Sequence, residues 1–590
     1  MDKRSLLAIV VTFLVLILWQ TLYVAPRREN NLKKEYSISD STGALRSADP
    51  EREEITRQSR PAEEESRREP GEKKEKRFYA PADSGRALTL TVSTEVMDIT
   101  LVSEGGEIEQ AKLYEYRGDK GEPLELLPEG EKGGLAVELK KGGLTEDFGG
   151  ALFSVSVDGN QIDADRTVRL GDEREEVEIV FRKEVGGGDF LEKRFVFFKE
   201  GYEFRFSTKM QRQGPLREAD SFAVAWNCGL VVTEENESVD KQGFASLGKV
   251  GEEFYKETLG DFGDGKTRRR SGQVIWAGVR TKYFISAIIE DNPSSATLEL
   301  RGSEDESFVG YAVVYPFRGD PREVEKRYRG YIGPLDADRL SEFNVGLEKS
   351  VELGWLRFLS VIVLKVMLFF RRFIPNYGLI IILMSVITKV LFYRLTHKSF
   401  KSMKDMQKLQ PKIKELQDKY KDDKEELNKR TMKLYKEAGV NPLGGCLPLV
   451  FQMPVFIALF GVLRNTIELR NAPFMLWIDD LSAPDVLFNF GFSIPFLGDA
   501  FHLLPILMGG AMVLQSKLGG SPTGGSAPPG QTKMMSTMMP IIFTFIFYGM
   551  PSGLVLYWIV NNVLTILQQY YAHKESEKED ELAAEKGKEK

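Results

Sequence analysis

From Phe78 to about Tyr331 apolar and polar positions alternate with period two. Leu88, Leu90 and Val92 interleave with Thr89, Thr91 and Ser93. Val177, Ile179 and Phe181 interleave with Glu176, Glu178 and Val180, and Tyr202, Phe204 and Phe206 follow the Lys199-Glu200-Gly201 turn. Such alternation, broken by Gly-rich turns, predicts a large antiparallel β-sandwich over residues 78–335. The pattern then changes. Over 353–375 the residues Arg357, Ser360, Lys365, Arg371 and Arg372 interrupt an apolar run within an arc of about 140°. An amphipathic helix with a basic face, lying in the membrane surface, is expected there. Five apolar runs follow, at Asn376–Leu395, Leu447–Arg464, Phe501–Leu518, Met534–Met550 and Ser552–Tyr571, each expected to cross a membrane. Pro551-Ser552-Gly553 makes the last two antiparallel neighbours. Several runs fall short of the roughly 20 residues that span a bilayer, which points to local thinning.

Ahead of the strands, Leu6–Ala25 is an apolar run after Lys3 and Arg4, followed by Pro26. It exceeds the apolar core of a signal peptide and predicts an uncleaved anchor over 1–25. Residues 26–77 mix both charges with Pro50, Pro61 and Pro70, the composition of a flexible linker. Between the first two core runs, over 396–440, Met403, Met406, Leu409, Ile413, Leu416 and Tyr420 recur at helical spacing. Past Lys421-Asp422-Asp423-Lys424, so do Leu427, Thr431, Leu434 and Ala438. Two such stripes predict a helical hairpin with an apolar seam. It is either a rigid strut or a docking arm with a soft methionine surface.

Charge orients these elements. Arg394–Cys446 holds 14 Lys/Arg and 8 Asp/Glu, and Gln515–Met534 holds Lys517 and Lys533 with no acid. Glu468–Ala500 holds Arg470 against Glu468, Asp479, Asp480, Asp485 and Asp499. The positive-inside rule makes the first two connections cytoplasmic and the third external. Six crossings with both termini inside satisfy all three and leave the β-domain outside. The chain of 590 residues has a net charge of −7, too long for one core. Cys228 and Cys446 are expected on opposite faces, unable to pair. His397, His502 and His573 are scattered, with no metal-ligand spacing and no phosphate loop. No cofactor is expected, and catalytic equipment is sparse.

One residue breaks the membrane pattern. Lys389 lies within the apolar stretch Gly378–Leu395, where a charge costs roughly 2.5–3.5 kcal/mol on insertion scales. Six residues before Leu395, roughly 9 Å along a helix, it is able to snorkel to the surface. The other reading gives it a partner or a wet cavity inside the bundle. Gln452, Asn561 and Asn562 are further polar side chains at membrane depth, suited to wetting a groove or to hydrogen bonds between helices.

Several local sequences then converge. Asn441-Pro442-Leu443-Gly444-Gly445-Cys446 precedes Gln452-Met453-Pro454. Ala472-Pro473-Phe474 leads to Leu476-Trp477-Ile478 and Asp480-Leu481-Ser482. Leu504-Pro505-Ile506-Leu507-Met508-Gly509 and Pro551-Ser552-Gly553-Leu554-Val555-Leu556-Tyr557 open two crossings, and Leu409-Gln410-Pro411-Lys412-Ile413 lies in the hairpin. In order and spacing, residues 354–571 resemble the YidC membrane protein insertase family. The anchor and β-domain match its Gram-negative architecture more loosely. The resemblance implies an inner-membrane protein with a mutarotase-like β-supersandwich outside, an insertase core over 376–571 and a tail over 572–590. It implies a five-helix core with a hydrophilic groove open to the cytoplasm and to lipid. The family's groove arginine falls on Lys389, which keeps the charge and loses the planar five-donor fork. Ser385 matches a groove hydroxyl, and Tyr557 and Trp558 match the aromatic pair of the last helix. The candidate hairpin residues are Met403, Met406, Leu409, Leu416 and Tyr420, from their helical spacing, and Pro411, from the matching motif.

The function implied is insertion of nascent membrane proteins without enzymatic chemistry. The implied partners are the Sec translocon (SecYEG, SecDF), the ribosome, signal-recognition targeting factors and membrane lipids. The tail has 5 Lys and 7 Asp/Glu and offers no nucleic-acid footprint. Two other classes stay open. A secondary transporter predicts inverted repeats, and the sequence has no such symmetry. A periplasmic ligand-binding membrane protein fits the β-domain, although residues 78–335 lack histidine for acid–base chemistry.

Overall fold

The computed structural model describes residues 85–588, apart from 119–120, 132, 264–266, 422, 441–446, 495–497 and 520–528. The expected anchor, the linker and the Asn441–Cys446 motif lie outside the described residues. The chain divides into two compact units, one ending at Pro334 and one beginning at Leu335.

The first unit is built from two sheets, and the alternating runs named above are among their strands. Glu176–Gly186 pairs with Asp189–Phe198, which pairs with Glu203–Gln211, then Glu323–Pro334, then Phe284–Glu290. In the other sheet Gly134–Lys141 pairs with Ser221–Trp226, then Phe308–Pro316, then Ser295–Ser303. Two features depart from a simple antiparallel sandwich. Thr89–Ser93 pairs parallel with Arg166–Arg169, and Arg268–Arg280 belongs to both sheets. Its first half, Arg268–Gln273, pairs with Ser295–Leu300, and Trp276–Arg280 pairs with Ile285–Ile289.

Period two sends alternate side chains inward, so Val177, Ile179, Phe181, Phe204 and Phe206 are buried. Phe195 packs among Phe181, Phe197, Phe204 and Phe206 at centroid distances of 4.9–6.5 Å. Among the charged side chains buried in this unit is Lys193, which is fully enclosed. Its ammonium crosses the core and donates to the carbonyls of Gly105 (2.8 Å), Leu135 (3.0 Å) and Gly106 (3.2 Å). Three acceptors satisfy its three protons, while desolvation pushes its pKa down to about 8.

The second unit is helical. Its longer helices are α1 (Arg357–Arg371), α2 (Tyr377–Leu391), α3 (Tyr393–Lys419), α4 (Lys424–Glu437), α5 (Leu447–Asn465), α6 (Leu503–Gly519), α7 (Pro529–Phe547) and α8 (Ser552–Lys588). Among the described residues no single helix is long and apolar enough to cross a membrane. The pair Tyr377–Leu391 and Tyr393–Met406 reaches that length together, bent by 66°. Within the expected first crossing, Asn376–Leu395, the helix therefore bends, at Phe392 (φ −95°, ψ 9°). The helix that holds the last expected crossing, α8, continues past Tyr571 through the tail to Lys588.

The surface helix differs in its faces. Ser360, Val363, Leu364 and Met367 are buried, while Phe358, Ile362, Phe369 and Phe373 are exposed. The open side of α1 and its C-cap carries these aromatic and aliphatic side chains together with Lys365, Arg371 and Arg372, three of the expected basic positions. Ser360 donates to the Leu353 carbonyl (2.8 Å), and Arg357 ties back to the carbonyls of Val351 and Glu348 (2.7 and 2.8 Å). Two polar residues of the expected basic face are thus occupied in folding the segment.

In the hairpin of α3 and α4 the seam is filled by Met406, Ile413 and Tyr435, flanked by Leu409, Leu434 and Val440. Tyr435 replaces Ala438, which is exposed. Met403 and Met406 face inward, so the methionine docking surface is not made by them. Pro411 is exposed, and Leu416 and Tyr420 are half-buried.

Candidate functional site

Short motif residues seal the bundle at one end. Asn376 caps α2 and reaches the Phe474 carbonyl (3.2 Å). A Cβ at Gly378 would stand 2.0 Å from the Phe474 ring, so glycine is required for this contact. At the start of α8, Ser552 donates its hydroxyl to the Asp480 carbonyl (2.7 Å) and its N–H to Ala483 (2.7 Å), while the Gly553 N–H reaches Leu481 (3.1 Å). Asp485 accepts the Leu503 and Leu504 N–H groups at the start of α6 (both 2.9 Å) and the Trp477 indole (3.0 Å). Backbone and side-chain donors are satisfied at this end.

Farther along α8 they are not. Tyr557, Trp558, Asn561, Asn562, Thr565 and Gln569 fall within an arc of about 140° and along roughly 18 Å of helix. Among them the Tyr557 hydroxyl, Trp558 Nε1, Asn561 Oδ1, Asn562 Nδ2 and Gln569 Oε1 are buried with no hydrogen-bond partner among the described residues. The Tyr557 hydroxyl stands near Asn561, Thr388 and Gln452, yet aligns with none of them. An unsatisfied buried polar atom costs about 1–3 kcal/mol. Several along one face mark a place where water or a polar ligand belongs.

Lys389 faces this stripe. Its ammonium donates to Thr565 Oγ1 (2.7 Å), and the Thr565 hydroxyl in turn donates to the Asn561 carbonyl (2.6 Å). Among the described residues no carboxylate contributes to its surroundings. Because α2 ends at Leu391, Lys389 lies in the last turn of that helix, and its head turns sideways to α8 instead of along α2.

Lys389, Gln452, Tyr557 and Asn561 thus come together. Ser385 is buried with its hydroxyl donated to the Ile381 carbonyl (3.0 Å). Trp558 stands apart, ringed by Phe456, Phe547 and Phe543 at 5.0, 5.2 and 5.7 Å. Sequence reading missed Thr388 and Thr565, and a second link where Gln568 donates to Thr396 (2.7 Å). The signal for Thr565 was its position one turn beyond Asn561.

Comparison with known proteins agrees with this architecture. Residues 369–579 match the model of the 60Kd inner membrane protein family, and residues 89–366 match that of the YidC periplasmic domain. The membrane protein insertase YidC of Geobacter metallireducens is 33% identical over 586 residues, covering 97% of this chain and 98% of that protein. That of Geobacter sulfurreducens is 34% identical over 487 residues, covering 82% and 85%. Among solved structures, an active YidC insertase with its first transmembrane domain resolved is 21% identical, covering 81% of this chain and 91% of that one (TM-score 0.34). A galactose mutarotase related enzyme from Lactobacillus acidophilus is 11% identical, covering 42% and 97% (TM-score 0.26). By its family models and its relatives over nearly the whole length, the chain belongs to the YidC family of membrane protein insertases.

Proposed function

We propose that this inner-membrane protein inserts nascent membrane proteins by way of the polar face of α8, with Lys389 as its charge. The observation that carries the reading is the row of orphaned polar atoms from Tyr557 to Gln569, beside a lysine with no carboxylate partner among the described residues. A substrate's polar or acidic segment costs several kcal/mol to pass through hydrocarbon. Polar groups that lack partners in the resting protein can hydrogen-bond that segment or the water around it. The carboxylates of the segment meet a cation that no carboxylate among the described residues neutralises. The exposed side chains of α2, Val386, Ile387, Val390 and Leu391, offer the substrate's apolar segment a route into lipid, where burial supplies the driving force.

Six crossings with both termini in the cytoplasm belong to the proposal and are supported by the loop charges. So does action with the Sec translocon and the targeting machinery, on the strength of family membership.

The test is a series at one position, assayed on substrates that differ only in the charge of their translocated tail. Lys389→Arg is expected to retain insertion. Lys389→Ala should slow acidic tails several-fold and neutral tails little, and Lys389→Glu should be slowest with acidic tails. Equal rates for every substrate with alanine would remove Lys389 from the mechanism.

A further inference from the structure

We propose that the connection between α5 and α6 is a lipid-binding segment, whose phenylalanine face seats in the boundary between headgroups and acyl chains. Phe488–Ile494 and Gly498–Phe501 pair antiparallel. Phe488, Phe490 and Phe492 recur at period two and their rings pack in succession, Phe488 on Phe490 at 5.4 Å and Phe490 on Phe492 at 6.0 Å, across the irregularity at Gly491. Phe501 stacks on Phe488 at 5.0 Å, and Phe490 meets both edge-on. Phe490 and Phe501 are half-buried in this cluster, while the rings at its margins stay open. Phe488 is 50% exposed and Phe492 65%. Two strands with an apolar face turned to water are marginal alone, and clustered exposed apolar side chains mark an interaction surface.

A second element of the same connection behaves alike. The turn at Phe474–Ile478 is closed by the Phe474 N–H on the Ile478 carbonyl (2.9 Å). At its tip Leu476 has φ 61° and is 86% exposed. A leucine in the left-handed region costs roughly 1–2 kcal/mol, and here the fold accepts that cost to hold an apolar side chain outward.

Lipid is the occupant for three reasons. The apolar part of α6, Leu503–Lys517, is about 22 Å long, short of the roughly 30 Å hydrocarbon layer. The strand ends at Phe501 and α6 begins at Leu503, so the aromatic face continues the helix's own exposed Ile506 and Leu507. From Asn471 to Ser516 there is no lysine or arginine, and the acids Asp479, Asp480, Asp485 and Asp499 lie outside Phe488–Phe492, so the phenylalanine run itself draws no charge into the apolar layer. The leaflet, the outer one, rests on the orientation proposed above. The lipid contact itself does not.

Full-length protein in nanodiscs, with Cys228 and Cys446 replaced by serine, would carry an environment-sensitive dye at Phe492→Cys or, separately, at Leu476→Cys. Both dyes should emit to the blue of one at the exposed Asp479, and lipids spin-labelled near the headgroup should quench them at least twofold more than aqueous iodide does. Dominant quenching by iodide would place the segment in water, and protection from both quenchers would mean that protein covers it; either result overturns the inference. Because both leaflets carry the quencher, such a failure leaves the orientation and the insertase reading untouched.

Discussion

Glu468, in the turn after α5, carries a pH signature that a single substitution can read. Burial raises its pKa to about 7, with Asp336 and Asp338 adding repulsion. A carboxyl raised above its unfolded value binds more protons in the folded state, so its contribution to stability is complete below about pH 4.5 and is lost as pH rises through 7. Glu468→Gln should therefore raise the melting temperature at pH 8.5, by a free energy on the order of 2–3 kcal/mol, and leave it nearly unchanged at pH 4.5. Thermal unfolding in detergent at the two pH values checks this, and an equal effect at both would remove the charge from the account. The same scale shows what one residue's sequence context reveals. Lys389 stands out because a charge amid apolar neighbours needs compensation, wherever the chain goes. Its partner Thr565 does not, because the choice depends on which face of α8 meets α2, and that is set by packing. Tyr557 and Trp558, adjacent in sequence, lie about 100° apart on the helix and so enter different surroundings.

Elements were legible where one periodicity dominates. The strands around Val177 and Phe204 and the two arms of the hairpin follow their patterns. The bend at Phe392 does not, because apolar residues continue past it and hydropathy is blind to backbone direction. In α1 the polar residues were visible and Lys365 and Arg371 are exposed, but Ser360 and Arg357 bond the preceding backbone, so at those two positions polarity in sequence did not mean exposure. Tyr435 was missed in the seam because it lies one residue from the periodic Leu434, a shift that α4 absorbs by rotation. Tyr435→Ala should open that seam, since removing a buried aromatic costs about 3–5 kcal/mol, and amide exchange should rise across α3 and α4 with α5 to α8 unchanged. Met432, 57% exposed, is the better probe of docking. If the hairpin is an arm, Met432→Ser should lower insertion without altering exchange; normal insertion would leave the hairpin as a strut.

At the scale of the whole molecule, the alternating pattern announced two stacked sheets, and only the paired backbone showed that Arg268–Arg280 passes from one to the other. The helical region poses the reverse problem. Loop charge is plain in sequence, while the helices it should orient are short: α5, α6 and α7 have 19, 17 and 19 residues, about 28, 25 and 28 Å long. Helices slightly shorter than the hydrocarbon layer can cross where the bilayer thins, at a fraction of a kcal/mol per Å. The charge bias is then the stronger guide, since placing Arg394–Cys446 outside would carry 14 basic residues across the membrane. That orientation is decided by labelling from one side. In a background without Cys228 and Cys446, cysteines introduced at the exposed positions Asp423, Asp479 and Glu252 sample the hairpin, the α5–α6 connection and the β-unit. A membrane-impermeant thiol reagent added to intact spheroplasts should modify the cysteines at 479 and 252 and spare the one at 423 until lysis. Modification at 423 without lysis would overturn the six-crossing arrangement, and with it the cytoplasmic opening of the groove beside Lys389.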